Sequence, residues 1–141
     1  MFIRVLTVIV LLAAAFPALG QEEANKPNTN WPGYREGDYV INNKKRLDCF
    51  YGTDLRQLLQ TLGVKNVVLM GINTNTCVLN TSFTAFNFDY RVVVLSDCVA
   101  SMYGDDLHVL GLQNVARCMG WVITNEQLFE KLKETSHVVH A

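Results

Sequence analysis

The stretch NVVLMGINTNTCVLNTSFTAFNFDYRVVVLSD, residues 66–97, decides the fold. It opens on a continuous apolar run, residues 66–70, of the kind that forms a strand buried on both faces of a parallel sheet. A second such run, RVVVLSD at 91–97, closes it. Between them the spacing predicts a helix over about 77–88, with Leu79, Phe83 and Phe86 on one face. Strand, helix and strand in this order make a parallel pair with a right-handed crossover. Cys77 falls where the first strand gives way to the helix.

The same alternation continues on both sides. Upstream, TDLRQLLQTLG reads as a helix capped by Thr53, with Leu55, Leu58, Leu59 and Leu62 on one face and Gly63 as its stop. Before it, DYVIN (38–42) reads as a short strand, and KKRLDCFYG as a loop whose aromatics Phe50 and Tyr51 turn inward. Downstream, a helix starts near Asp105 or Asp106 and ends at Gly120, and WVI (121–123) reads as a last strand. TNEQLFEKLKE then opens with Thr124 and Gln127 at capping-box spacing. The expectation is one α/β domain with a parallel sheet and flanking helices.

The chain has 141 residues, half of them hydrophobic, with a net charge of −1. That bounds it to one ordinary globular domain. The absence of a basic stripe argues against nucleic acid as a partner. Residues 1–20 combine Arg4, the apolar run VLTVIVLLAAAF, Pro17 and the small residues of ALG. This is the pattern of a secretory signal peptide, lying outside the fold, with an uncleaved signal anchor as the alternative; it predicts a secreted chain with no membrane association after cleavage. Residues 21–37 read as a linker or arm, 38–136 as the domain and 137–141 as a tail. Four cysteines, Cys49, Cys77, Cys98 and Cys118, are too few and too scattered for a disulfide scaffold or a zinc site. With Cys77 free, at most one disulfide can form among the rest. Asn80 heads an NTS sequon inside a predicted helix.

In an open α/β sheet, ligands bind beyond the carboxyl ends of the strands. Cys77 falls there, at a helix start whose outward N–H groups and positive dipole end favour negative charge. The same N–H groups can hold an oxyanion when a sulfur attacks a carbonyl. From position alone, the alternative of a small buried residue at a strand–helix turn stays open. Cys98 reads as core packing. His108, on a predicted helix, and His137 and His140, in the tail, read as bystanders.

The run from Gly71 to Val78, GINTNTCV, resembles the nucleophile turn of the isochorismatase-like cysteine hydrolases. These include nicotinamidases, N-carbamoylsarcosine amidases and ureidoacrylate and biuret hydrolases. TAF at 84–86, DYRVVVLSD at 89–97 and GW at 120–121 extend the likeness, which covers about residues 38–133. The resemblance implies a Rossmann-like three-layer fold. It implies hydrolysis of a small amide or ureido compound through a thioester on Cys77, with the N–H groups of Asn73 and Cys77 as the oxyanion hole. The family's cis peptide falls between Ile72 and Asn73. Lys44, six residues before Phe50, matches the family lysine that supports the thiolate, with Lys45 as the alternative. No cofactor is implied, and a homo-oligomer is in keeping with the family.

The family also uses an aspartate at the end of its first strand, as the general base. Nothing between Gln21 and Asn43 matches it, and Asp38 and Asp48 stand at other positions. The first strand, first helix and next strand are therefore expected to be missing on the N-terminal side. The metal ligands of some nicotinamidases lie in or near that region, so no metal is expected. Two readings follow: a secreted amidohydrolase, or an inactive isochorismatase-like fragment serving as a binding or assembly module.

Overall fold

In the computed structural model, residues 8–12, 36–41 and 43–138 are described. Four parallel strands form one sheet in chain order: β1 (Val8–Leu12), β2 (Asn66–Ile72), β3 (Arg91–Ala100) and β4 (Gly120–Ile123). The helices are α1 (Leu55–Thr61), α2 (Leu79–Asn87), α3 (Asp105–Cys118) and α4 (Asn125–Val138). Each crossover from β2 onward carries a helix, as parallel pairing requires.

Side chains alternate across a strand, and both faces here are covered. Val67, Leu69, Val92 and Val94 join one core cluster with Leu55, Leu59, Val78, Ala85 and Val115. Val68 and Leu95 are equally buried outside that cluster. This is why the strands read as unbroken apolar runs rather than alternating ones.

Local signals set several boundaries. Gly63 takes φ +66° after α1, with Gly63 N–H donating to the Gln60 carbonyl and Val64 N–H to that of Leu59. That pair of bonds is the Schellman stop, and glycine adopts its left-handed conformation freely. The capping box of α4 forms in both directions: Thr124 N–H donates to Gln127 Oε1 (2.9 Å) and Gln127 N–H to Thr124 Oγ1 (3.2 Å).

The structure corrects five expectations. Residues 38–41 form no ladder; Tyr39 and Val40 are exposed, so nothing draws them into the sheet. Tyr51 also turns outward, while Phe50 is buried. On α2, Phe83 and Phe86 are 44% and 47% exposed, whereas Thr81, Ser82 and Ala85 are buried. The polar residues can face inward because each hydroxyl is satisfied: Ser82 donates to the Val78 carbonyl (2.8 Å) and Thr81 accepts from Cys49 N–H (3.1 Å). Cys98 is half-exposed on β3, outside the core cluster. Burial, followed by Asp97, raises its thiol pKa.

The fifth correction concerns the N-terminal edge. Part of the segment expected outside the fold lies in the sheet: Val8–Leu12 pairs in parallel with Val67–Gly71. An apolar, β-branched run satisfies the backbone of an otherwise open edge strand, which is what the VIVLL pattern supplies. The rest of 1–20, most of 21–37 and the tail from 139, with His140, lie outside the described residues. His137 falls within α4, its side chain undescribed.

Candidate active site

The chain leaves β2 through Gly71, at φ +115°, and the Ile72–Asn73 peptide is cis. Winding begins at Thr74, three residues before Cys77, as a single π-turn (Thr74–Val78) that runs into α2. Asn73 stands at its N-cap in extended conformation, and its carbonyl accepts from Thr76 N–H (3.2 Å) and Val78 N–H (3.1 Å). Single π-turns of this kind often mark functional positions in helices. Cys77 is therefore within the first turn rather than at its outermost residue. It is buried, at 6% exposure.

Lys44 reaches this sulfur: its Nζ lies 3.8 Å from Cys77 Sγ and donates to the Arg46 carbonyl at 2.7 Å. The alternative, Lys45, is exposed. The loop that carries Lys44 is fastened along one face of the helix. Cys49 N–H donates to Thr81 Oγ1. Asp48 Oδ2 accepts from Thr84 Oγ1 (2.9 Å), and its Oδ1 accepts from Phe50 N–H (2.9 Å). Phe50 packs edge-on against Phe88 (5.5 Å) and stacks with Tyr90 (6.1 Å), and Arg56 covers the Phe88 ring at 4.0 Å. Residues 77, 81, 84 and 88 follow helical spacing, so one face of the turn and helix receives the whole loop.

Three contacts, two from the β3–α3 connection and one from the first turn of α3, brace the turn on its other side. Thr74 Oγ1 and His108 Nδ1 are 2.8 Å apart. Ser101 Oγ donates to Asn75 Oδ1 (2.7 Å), and Met102 N–H donates to Asn73 Oδ1 (3.0 Å). Gly111 lets α3 come close. A Cβ there would stand 3.1 Å from Asn75 Cα and 3.2 Å from the Thr74 carbonyl carbon, tighter than ordinary contact. Sequence reasoning passed over His108 and these braces because their partners are 26 to 34 residues apart. A hydroxyl, an amide and a glycine carry no local signature of such contacts.

Cys49 is a second buried thiol near the site. Its pKa is raised to about 11, mainly by burial, with Thr81 and Lys44 pulling it back and Asp48 and Cys77 adding to the rise. It stays a neutral thiol at physiological pH, which separates it in character from a nucleophile. Asp38 lies before the loop, and Asp48 is committed to α2. Among the described residues, the hydrogen-bond partners of Cys77 Sγ are Lys44 and Thr76. No group of three or more His, Cys, Asp or Glu among them is arranged to hold a metal ion.

The sequence matches the family described as the isochorismatase domain over residues 21–127. The chain belongs to the isochorismatase family. An isochorismatase family protein of Bacillus subtilis, YwoC, is 33% identical over 101 residues, covering 72% of this chain and 52% of its own. The ureidoacrylate amidohydrolase RutB of Agrobacterium fabrum is 33% identical over 88 residues, covering 62% of this chain and 38% of its own. The crystal structure of an isochorismatase-like hydrolase from Alkaliphilus metalliredigens superposes with a TM-score of 0.66 at 33% identity, over 70% of this chain and 53% of that one. The chain thus spans about half the length of YwoC and less of RutB.

Proposed function

We propose that this chain is a cysteine hydrolase that cleaves the C–N bond of a small amide or ureido compound. The observation that carries the reading is the Lys44–Cys77 pair, 3.8 Å apart, at the carboxyl edge of the parallel sheet. The amidohydrolase activity in RutB's name, on ureidoacrylate, supports the bond type.

The Cys77 thiolate attacks the carbonyl carbon, and its electron pair moves onto the oxygen. N–H groups at the start of the helical winding, those of Asn73 and Cys77, are suited to hold that oxyanion. Collapse of the intermediate expels the nitrogen, which takes up a proton and leaves as an amine or ammonia. Water then cleaves the thioester to the acid and regenerates the thiol. Lys44 holds negative charge on the sulfur before attack and after release. The general acid–base is not among the described partners of Cys77 Sγ.

A second reading is favoured by the lack of a general acid–base among the described partners of Cys77 Sγ: an inactive module that keeps the nucleophile turn as a scaffold. Intact-mass spectrometry separates the two. The full chain is incubated with ureidoacrylate and simple primary amides, then quenched in acid. The hydrolase reading expects an acyl adduct on the Cys77 peptide together with ammonia release. Absence of both across the panel leaves the inactive module.

Residues 1–20 are proposed to direct secretion, on the strength of the charge, apolar run and small-residue pattern. Cleavage before Gln21 would remove β1 and leave β2 as an edge. Expression in a secreting host should yield material starting at Gln21 by N-terminal sequencing. Material that keeps Met1 would refute the signal.

A further inference from the structure

Thr74, the first residue of the π-turn, is buried to 1% exposure, and its hydroxyl lies 2.8 Å from His108 Nδ1. Among the described residues no buried side-chain N or O lacks a partner, and for Thr74 Oγ1 that partner is His108. The flanking residues are tied down through their side chains as well: Asn73 Oδ1 accepts from Met102 N–H and Asn75 Oδ1 from the Ser101 hydroxyl. The three tethers differ in what they reach. Asn73 and Asn75 hang on the loop before α3. Thr74 is held by a side chain of α3 itself, and Gly111 of that helix backs directly onto Thr74 and Asn75. The turn thus rests on α3 and is fastened to it by His108.

Thr74 lies between the Asn73 and Cys77 N–H groups, the two donors suited to an oxyanion. The Asn73 carbonyl, in the peptide that joins it to Thr74, accepts from Thr76 and Val78 N–H. A peptide unit is planar, with its N–H opposite its carbonyl, so this commitment turns Thr74 N–H away from the winding. Any rotation at Thr74 would swing that plane and carry the donors on both sides with it.

We infer that His108 is a positioning residue for the proposed thioester chemistry. Through the Thr74 hydroxyl it holds the oxyanion-binding turn against α3, and it takes no part in the proton transfers. The inference rests on the reading of Cys77 as the nucleophile. Fixed donors need no rearrangement when charge develops on the substrate oxygen, and a misplacement of about 1 Å can cost about 10²-fold in rate. Either partner of the contact can donate, according to the imidazole tautomer, so a side-chain amide in the same place can replace the ring nitrogen.

Two reactions of Cys77 on the full chain separate positioning from plain exposure of the sulfur, each followed by mass spectrometry of the Cys77 peptide. 4-Nitrophenyl acetate acylates the sulfur through an oxyanion: the C–S bond forms, the ester C–O bond breaks and 4-nitrophenolate leaves with the electron pair. Iodoacetamide alkylates it by displacing iodide, with no oxyanion. His108→Leu should lower the acylation rate by at least about tenfold and leave alkylation nearly unchanged. His108→Asn, whose amide stands where Nδ1 stood, should keep most of the acylation rate. Thr74→Val should fall as His108→Leu does, and the double variant no further than either. Should His108→Leu not fold, Thr74→Val and His108→Asn carry the same comparison. Undiminished acylation in His108→Leu or Thr74→Val, or an equal loss of alkylation, would overturn the inference. So would a His108→Asn variant as slow as His108→Leu, which would make the imidazole itself a proton carrier. No acylation of Cys77 in the unsubstituted chain is the separate failure of the hydrolase reading, and it takes this inference with it.

Discussion

Cys77→Ala is expected to lower amide or ureide hydrolysis by about 10³-fold or more, with only a small loss of stability. The sulfur is the one group in the turn that can form the acyl intermediate, and removing a nucleophile costs far more than removing a supporting donor. The side chain is small and buried beside Val78 and Ala85 in the core cluster, so its loss should cost about 1 kcal/mol. Lys44→Met should act through the sulfur instead. It leaves the nucleophile in place and removes the ammonium 3.8 Å away, for a fall of roughly 10²-fold. Initial rates of ammonia release, with circular dichroism as the folding control, test the pair. Residual turnover in Cys77→Ala equal to that of the unsubstituted chain would remove Cys77 from the mechanism. A Lys44→Met effect as large as that of Cys77→Ala would show that the lysine does more than stabilise charge.

Gly120→Ala is expected to destabilise the fold by about 3 kcal/mol, the upper end of what overpacking costs. Gly120 opens β4 and pairs with Val92 of β3. A Cβ there would stand 2.1 Å from the Val92 carbonyl oxygen and 2.9 Å from its carbonyl carbon. Both are backbone atoms of β3, which is paired on both sides, so no side chain can swing aside. Gly63→Ala is the contrast. Its φ of +66° is unfavourable for alanine, yet a Cβ there meets nothing within 4 Å. The cost should be the backbone preference alone, about 1 kcal/mol. Urea denaturation of both variants gives the comparison. Equal losses would mean that the β3–β4 pair yields to accommodate a methyl group.

The positions of these two glycines show how unevenly the structure was legible. Gly63 follows a run of leucines at helical spacing, and its role as a stop can be read from its neighbours. Gly120 reads from the sequence as the end of a helix. Its closest approach is to Val92, twenty-eight residues earlier, and nothing in the local pattern reports it. The inversion on α2 has the same origin. Phe83 and Phe86 look like the buried face because they are apolar, but Cys49 N–H of the loop gives Thr81 a partner and the Val78 carbonyl one turn earlier takes the Ser82 hydroxyl, so both go inside.

The βαβ order, the parallel sheet and the strand–helix turn at Cys77 were legible before any coordinates, because periodicity and turn chemistry are local. GINTNTCV and KKRLDCF carried the likeness to a hydrolase family in the same way. Tertiary structure decided what surrounds the turn. It brought Lys44 to the sulfur across thirty-three residues and set His108 against Thr74. It held Asp48 on α2 and drew Val8–Leu12 into the sheet beside β2. Each of these depends on which distant segments meet. Burial and the need to satisfy backbone and hydroxyl groups settle those meetings only once the whole sheet is assembled.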